Sequence, residues 1–336
     1  MPDKEALSEA TEEELLQATV ILARLGNFLM DTGQLAQAET VLRTSLMYIT
    51  QIEDAIELRF VYSRLVLLSI KRGEWERAQQ FVNFTRQINE EPIPPLTPAT
   101  QYMNDAVIAY HQGRFETAKE AIMISIDYFK QANAVWGEGH ARRWFGVIQY
   151  QLGHYAASSH QLSLSCQIHA QLQDRLGHAL AKCQIGQIAL RNEDIDHALV
   201  SLNEAHKQAK HIGHETLLTM VETELAAVYL QQKNYRQTQI YLDTALECAL
   251  KLEQPPLLLN VLSILIKFAI TKGVITDCVR RVSGAIVTHP NGSYIMQASM
   301  RDWLNRHYIY LLEKNTIYKL MLEDIHSISK QIFVKD

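Results

Sequence analysis

Little in this chain is suited to covalent or membrane chemistry. Cysteine is scarce: Cys166, Cys183, Cys248 and Cys278 are the four in 336 residues, at spacings of 17, 65 and 30. No zinc-ligand pair or redox motif has that spacing, so they read as reduced thiols filling helix faces. No apolar run approaches the ~18 residues that a membrane span needs. The opening "MPDKEALSEATEEELL" is acidic and lacks the basic-then-apolar order of a signal peptide. Both absences predict a cytoplasmic protein that does not engage a membrane. Positive charge is in deficit, with a formal net charge of −5 and no clustered basic stripe, which argues against direct contact with nucleic acid. Glycine-rich phosphate loops, metal motifs and nucleophile elbows are missing too. No catalytic residue, metal ligand or cofactor is therefore assigned, and the chain is not expected to be an enzyme.

What the chain does have is repetition. "TGQLAQAETVL" at 32–42, "RGEWERAQQFV" at 72–82, "QGRFETAKEAI" at 112–122 and "LGHYAASSHQL" at 152–162 align without gaps. "NEDIDHALVSL" at 192–202, "QKNYRQTQIYL" at 232–242 and "KGVITDCVRRV" at 272–282 continue the series, always 40 residues on. A large residue recurs at Leu35, Trp75, Phe115, Tyr155, Ile195, Tyr235 and Ile275. Three places later stand Ala38, Ala78, Ala118, Ser158, Ala198, Thr238 and Cys278, and four further on Leu42, Val82, Ile122, Leu162, Leu202, Leu242 and Val282. Large, small, large at spacings of three and four is one face of a helix, with the small residue admitting a neighbour closely. Gly33, Gly73, Gly113, Gly153 and Gly273 end the preceding helix in the left-handed conformation, and Asn234 is expected to substitute in the sixth turn.

Leading helices are predicted near 12–31, 53–72, 98–112, 134–152, 174–191, 214–231 and 255–272. Their partners are predicted near 34–50, 74–90, 114–132, 154–172, 194–212, 234–252 and 274–287. The proline-rich "EEPIPPLTPAT" at 90–100 leaves the register intact, so it is expected to replace the first turn of the third leading helix. A 40-residue helix pair cannot bury both its faces alone, so the pairs must stack.

These residues resemble the tetratricopeptide repeat family: a small residue in the first helix, a glycine turn, an aromatic two later, an alanine three after that. The resemblance spans about residues 12–290. The 40-residue period looks like the sensor regions of bacterial signal-transduction ATPases of the STAND type and of maltose-regulator-like activators. It implies an all-α, right-handed superhelix of seven pairs over residues 1–290, turning at 33, 73, 113, 153, 193, 233 and 273. Residues 291–336 then form a degenerate capping pair, in which Asn315, Ile317 and Leu320 fit the turn pattern after a two-residue shift.

In that family the leading helices line a concave groove. Carried over repeat by repeat, the ligand-facing positions include Arg24, Asn27, Arg64, Asn104, Arg143, Trp144, Gln184, Gln187 and Glu224, with Tyr110 and Tyr150 one turn along. The lysine–asparagine clamp that some members use for chaperone tails is not matched. Arginines toward one end and Glu224 toward the other suit an extended, partly acidic peptide; solvated charges on a scaffold are the alternative. "HARRWFG" at 140–146 stands out: either its arginines and Trp144 bind a carboxylate or phosphate, or Arg142 pairs with an acid of the next repeat while Trp144 packs under a neighbouring helix. Nine of thirteen histidines lie between His140 and His214. His206, His211 and His214 straddle a turn and read as surface residues, not metal ligands. Asp105 occupies a large-apolar position, so either the chain shifts there or the acid is paired. The resemblance implies a non-catalytic scaffold for a protein or peptide within a regulatory or signalling system. The alternative is a sensor whose groove holds a sugar or other metabolite.

Overall fold

A computed structural model describes residues 10–52, 54–88, 94–307 and 322–333. The first four pairs are α1 (Glu12–Asp31) with α2 (Leu35–Ile52), α3 (Ala55–Arg72) with α4 (Trp75–Gln87), α5 (Leu96–His111) with α6 (Phe115–Gln131), and α7 (Val135–Gln151) with α8 (Tyr155–Gln171). Then come α9 (Arg175–Arg191) with α10 (Ile195–Ile212), α11 (Glu215–Gln231) with α12 (Tyr235–Lys251), and α13 (Pro255–Thr271) with α14 (Asp277–Thr288). The helices α15 (Tyr294–Arg306) and α16 (Leu322–Phe333) follow. Among the described residues there is no strand, and no helix is long and apolar enough to cross a membrane. The chain is an all-α solenoid of tandem helix pairs.

The small and second-large positions do what their spacing dictates. Ala38, Ala78, Ala118, Ser158, Ala198 and Thr238 are wholly buried, and Leu42, Val82, Ile122, Leu162, Leu202, Leu242 and Val282 are at most 2% exposed. A Cβ built on Gly26, Gly146 or Gly186 would strike Leu42, Leu162 or Leu202, which is why the leading helices are glycine-bearing there. A buried hydroxyl adds a cross-helix bond in three repeats: Ser45 donates to the Thr19 carbonyl (2.9 Å), Ser125 to that of Ala99 (2.7 Å) and Ser165 to that of Gly139 (2.8 Å).

The turns correct one expectation. Lys233, not Asn234, takes the left-handed conformation (φ 58°), while the Asn234 side chain caps α12 by accepting from the Gln237 amide. Glu193 is left-handed likewise (φ 61°). So are the turns between pairs, at Asn133, Gln173 and Gly213. From Gly113 to Lys233 a positive φ therefore recurs every 20 residues, so the backbone has half the period of the sequence. The proline-rich segment also acts differently from its prediction. The third leading helix starts almost in register at Leu96, and it is α4 that is cut short at 13 residues. Pro98 fits in the first turn of α5, where no intrahelical partner is needed for its nitrogen. The seventh pair departs as well: α14 begins at Asp277 behind a Thr276 cap, leaving Ile275 43% exposed. Asn315, Ile317 and Leu320 lie outside the described residues.

Leading helices pack on the next leading helices, α1 on α3, α5 on α7, α7 on α9, α9 on α11 and α11 on α13, so they form the inner wall. The coil then meets itself. Glu253 accepts from the Ala36 amide (2.5 Å), Asn291 donates to the Arg72 carbonyl (2.7 Å), and the Trp75 indole reaches the Gly292 carbonyl at 3.4 Å. Phe115 meets Tyr294 edge-on. The partners of the three bonds lie 217 or 219 residues apart, between five and six repeats, so the first three turns dock on the loops that end the sixth and seventh pairs. This seam has no counterpart in the repeat pattern.

Candidate functional site

On the inner wall, side chains of successive leading helices meet in pairs. Arg64 reaches Asn27 at 3.4 Å and lies over the Phe60 ring, 4.8 Å from its centroid. Gln187 donates to Glu224 at 2.7 Å, and the Tyr150 hydroxyl donates to Asn192 at 3.1 Å. Burial raises the Glu224 carboxyl above its ordinary value, and the Gln187 bond and the charges of Arg191 and Lys267 only partly offset this. Arg24 is exposed, and Asn104 and Gln184 are half-buried.

Midway along the wall the chemistry changes. Trp75 stacks on His111 (centroids 4.6 Å, 11°), and Trp144 stands edge-on to both Tyr110 (5.5 Å) and His111 (5.7 Å). Four rings from three repeats thus form one cluster, in which burial pulls His111 down to about 4 and keeps it neutral. Arg143 lies beside it, its guanidinium 4.9 Å from the Trp144 ring. Tyr110 and Arg143 are each only 7% exposed, deeper than ligand-facing positions of an open groove. Among the described residues no carboxylate pairs with Arg143, its enclosed Nε has no acceptor, and burial pulls the group down to about 10. Among the described residues, the contact recorded for this cation is the Trp144 ring.

The neighbouring Arg142 is spent locally, on Glu138 one turn back (2.7 Å) and on Gln161 of the paired helix (2.9 Å). The acid it meets is thus on its own helix and not on the next repeat, whereas Trp144 does pack against a neighbouring leading helix. Asp105 is paired: it accepts from Gln79 at 2.9 Å and bonds Arg86, with α5 in register. Of the three histidines read as surface residues, only His211 is exposed. His206 bonds Glu222 at 3.1 Å, and His214 caps α11 through Nδ1. His140, His169 and Asp174 come together instead, a grouping for which the sequence offered no local spacing.

A cavity of about 630 Å³ opens at the seam, lined by Arg43, Leu65, Glu74, Arg77, Phe81 and Asn291 among others. Its buried charges are already matched, and Glu76 is exposed to solvent. Glu39 takes bonds from Arg43, Arg72 and Arg77, and although burial alone would raise its carboxyl these bring it to about 2. Arg77 also holds Glu74 at 2.7 Å. Nothing there asks for a ligand, so the cluster around Arg143 is the better candidate.

No protein-family model matches the chain, and no curated protein is similar enough to count as a relative. Solved structures are. A Rap protein complexed with Competence and Sporulation Factor superposes with a TM-score of 0.58 at 11% identity, covering 89% of this chain and 88% of that one. The apo form of RapI gives 0.56 at 12% identity, over 86% of this chain and 99% of the other. A STAND protein with a tetratricopeptide repeat sensor, from Pyrococcus horikoshii, gives 0.53 at 15% identity; the match takes 99% of this chain but 49% of that protein. At such identities the likeness shows the fold: tetratricopeptide-type repeats.

Proposed function

We propose that this chain is a non-catalytic interaction scaffold whose inner wall holds a peptide or a segment of a partner protein through an anionic group seated at Arg143. One observation carries the reading: a buried guanidinium with no acid partner among the described residues. Burying a charge without a counter-charge costs several kcal/mol, and apolar residues would fill that place more stably. A ligand carboxylate would supply the missing partner, and the guanidinium fork suits it in a bidentate pair. Tyr110 and Trp144 would flank the bound chain, while the Gln187–Glu224 pair, one and two leading helices beyond α7, offers polar contacts further along. The Rap protein solved with Competence and Sporulation Factor supports the idea that a solenoid of this shape takes up a ligand, and the repeat sensor of the STAND protein supports a regulatory setting.

Fluorescence anisotropy tests this with two labelled decapeptide pools, identical but for a free or an amidated C-terminal carboxyl. The free-acid pool is expected to bind, and Arg143→Gln to weaken it about 10- to 100-fold, since a shielded charge-assisted bond contributes ~1.5–3 kcal/mol. Salt should weaken it further. Equal binding by wild type and variant would dismiss Arg143 as the anchor. Equal binding of both pools would move recognition to acidic side chains or to the peptide backbone.

A further inference from the structure

One buried histidine stands where four other repeats have an apolar side chain, while Asn89 and His289 hold the same place in the remaining two. His169 falls in the register of Ile49, Phe129, Ala209 and Ala249, and like them it is wholly or almost wholly buried. Two glycines make its slot: a Cβ on Gly177 would lie 2.2 Å from its Nδ1, and one on Gly139 would lie 2.9 Å from its Nε2. Among the described residues Nε2 has no hydrogen-bond partner, and Nδ1 has only the Asp174 carboxylate. Asp174 Oδ2 is 2.9 Å from Nδ1, but out of line for an N–H···O bond. A fully buried imidazole with one nitrogen unpaired and the other poorly aligned to its carboxylate is costly.

Two further donors face the same point. His140, one turn before Arg143 on α7, brings its Nε2 to 3.9 Å from the same Asp174 oxygen. One ligand atom from each of His140, His169 and Asp174 lies within 4.8 Å of the others. Tetrahedral zinc with bonds of about 2.0–2.1 Å spaces its ligand atoms about 3.4 Å apart, within the reach of small side-chain rotations. The carboxylate is already oriented, as metal ligands usually are: Oδ1 accepts from the Gly177 amide and Oδ2 from the Trp136 indole, each at 3.0 Å. His140 and Asp174 are 14% and 18% exposed, so the point can be reached from solvent.

We propose that His140, His169 and Asp174 bind a divalent transition ion of the zinc class, leaving a fourth position for water or a ligand. Two imidazoles and a carboxylate are the donor set of such sites. Arg143 opposes a second positive charge nearby, and the Asp174 carboxylate, in direct contact, offsets it. An ion there would tie α7, α8 and the turn before α9 together, linking the fourth repeat to the fifth. The motif is invisible in one dimension because its members lie 29 and 5 residues apart, on two helices and a turn.

The experiment is zinc chloride titrated calorimetrically into chelator-treated protein, with cobalt(II) absorption as a second readout. One ion per chain is expected, with the visible bands of four-coordinate cobalt. His140→Ala, at the rim of the site, and Asp174→Asn are each expected to weaken uptake at least tenfold while the helical circular dichroism of His140→Ala stays native. Zinc should raise the melting temperature of the wild type and not of His140→Ala. Absence of saturable one-to-one uptake by the wild type overturns the proposal. So does uptake unchanged in both variants, which would place the ion on the other histidines.

Discussion

The turns at Gly73 and Gly153 occupy the same place in the repeat and have nearly the same backbone, φ 69° and 80°. Around them the two regions differ. A Cβ on Gly33 would strike Leu252, one on Gly73 the Asn291 carbonyl at 2.3 Å, and one on Gly113 the Tyr294 ring, whereas nothing lies within 4 Å of Gly153 or Gly273. The large residue two places on follows suit. Leu35 and Trp75 are 0% and 5% exposed, and Phe115 is half-buried under Tyr294, but Tyr155 is 57% exposed and Ile275 43%. One motif therefore does two jobs. Everywhere it closes a helix and turns the chain; only on the first three turns does it also form a docking surface for the far end of the coil.

Truncating the aromatic in each region gives the widest contrast. Trp75→Ala is expected to cost about 3–5 kcal/mol, the range for a large side chain removed from a packed site, and to free the 289–294 loop. Tyr155→Ala should stay within about 0.5 kcal/mol, as for other exposed positions. Urea denaturation of both measures the difference, and equal losses would mean that the seam adds nothing to stability. The glycines should follow with a smaller gap. Both Gly73→Ala and Gly153→Ala carry the left-handed penalty of about 1–2 kcal/mol. Gly73→Ala should lose a further ~1–3 kcal/mol, because its new methyl meets backbone rather than a yielding side chain. Identical melting temperatures would break the comparison at its most local point.

Acid should act on the seam side more gently. His111 stacks under Trp75 and is held near 4, so the folded state takes up its proton less readily than the unfolded chain, whose histidines titrate at about 6.5. Stability is then full above about pH 6.5 and falls as the pH drops toward 4, by at most about 1.4 kcal/mol per pH unit for this one group. Stability measured from pH 7 to pH 4.5 should therefore fall less steeply in His111→Gln than in wild type, and parallel curves would show that His111 is not neutral in the fold.

Much of the architecture was legible because its causes are local. The helices come out within a few residues of their predicted spans, since a helix face and a turn each need only a handful of neighbouring residues. Where the reading slipped, the cause was a choice between two local solutions. Lys233 took the strained turn so that Asn234 could cap, and the proline segment shortened α4 because proline is tolerated in the first turn of α5. The candidate site was legible in part. Arg143, Trp144 and Tyr110 were singled out as groove residues, but their burial, and the lack of an acid beside Arg143 among the described residues, depend on which side chains the next helices bring.

By itself, the sequence determined the all-α class, the 40-residue pairs, the turn positions and the small residues at each crossing, because all of these are set by contacts along one helix or across one turn. Only the tertiary structure decided that Gly73 meets Asn291, that Trp75 is buried while Tyr155 is not, and that His140, His169 and Asp174 converge. Those outcomes depend on the small rotation between successive pairs, summed over five to six repeats for the seam and over one for the histidine cluster. That rotation is a property of packed helices and is written at no single position in the chain.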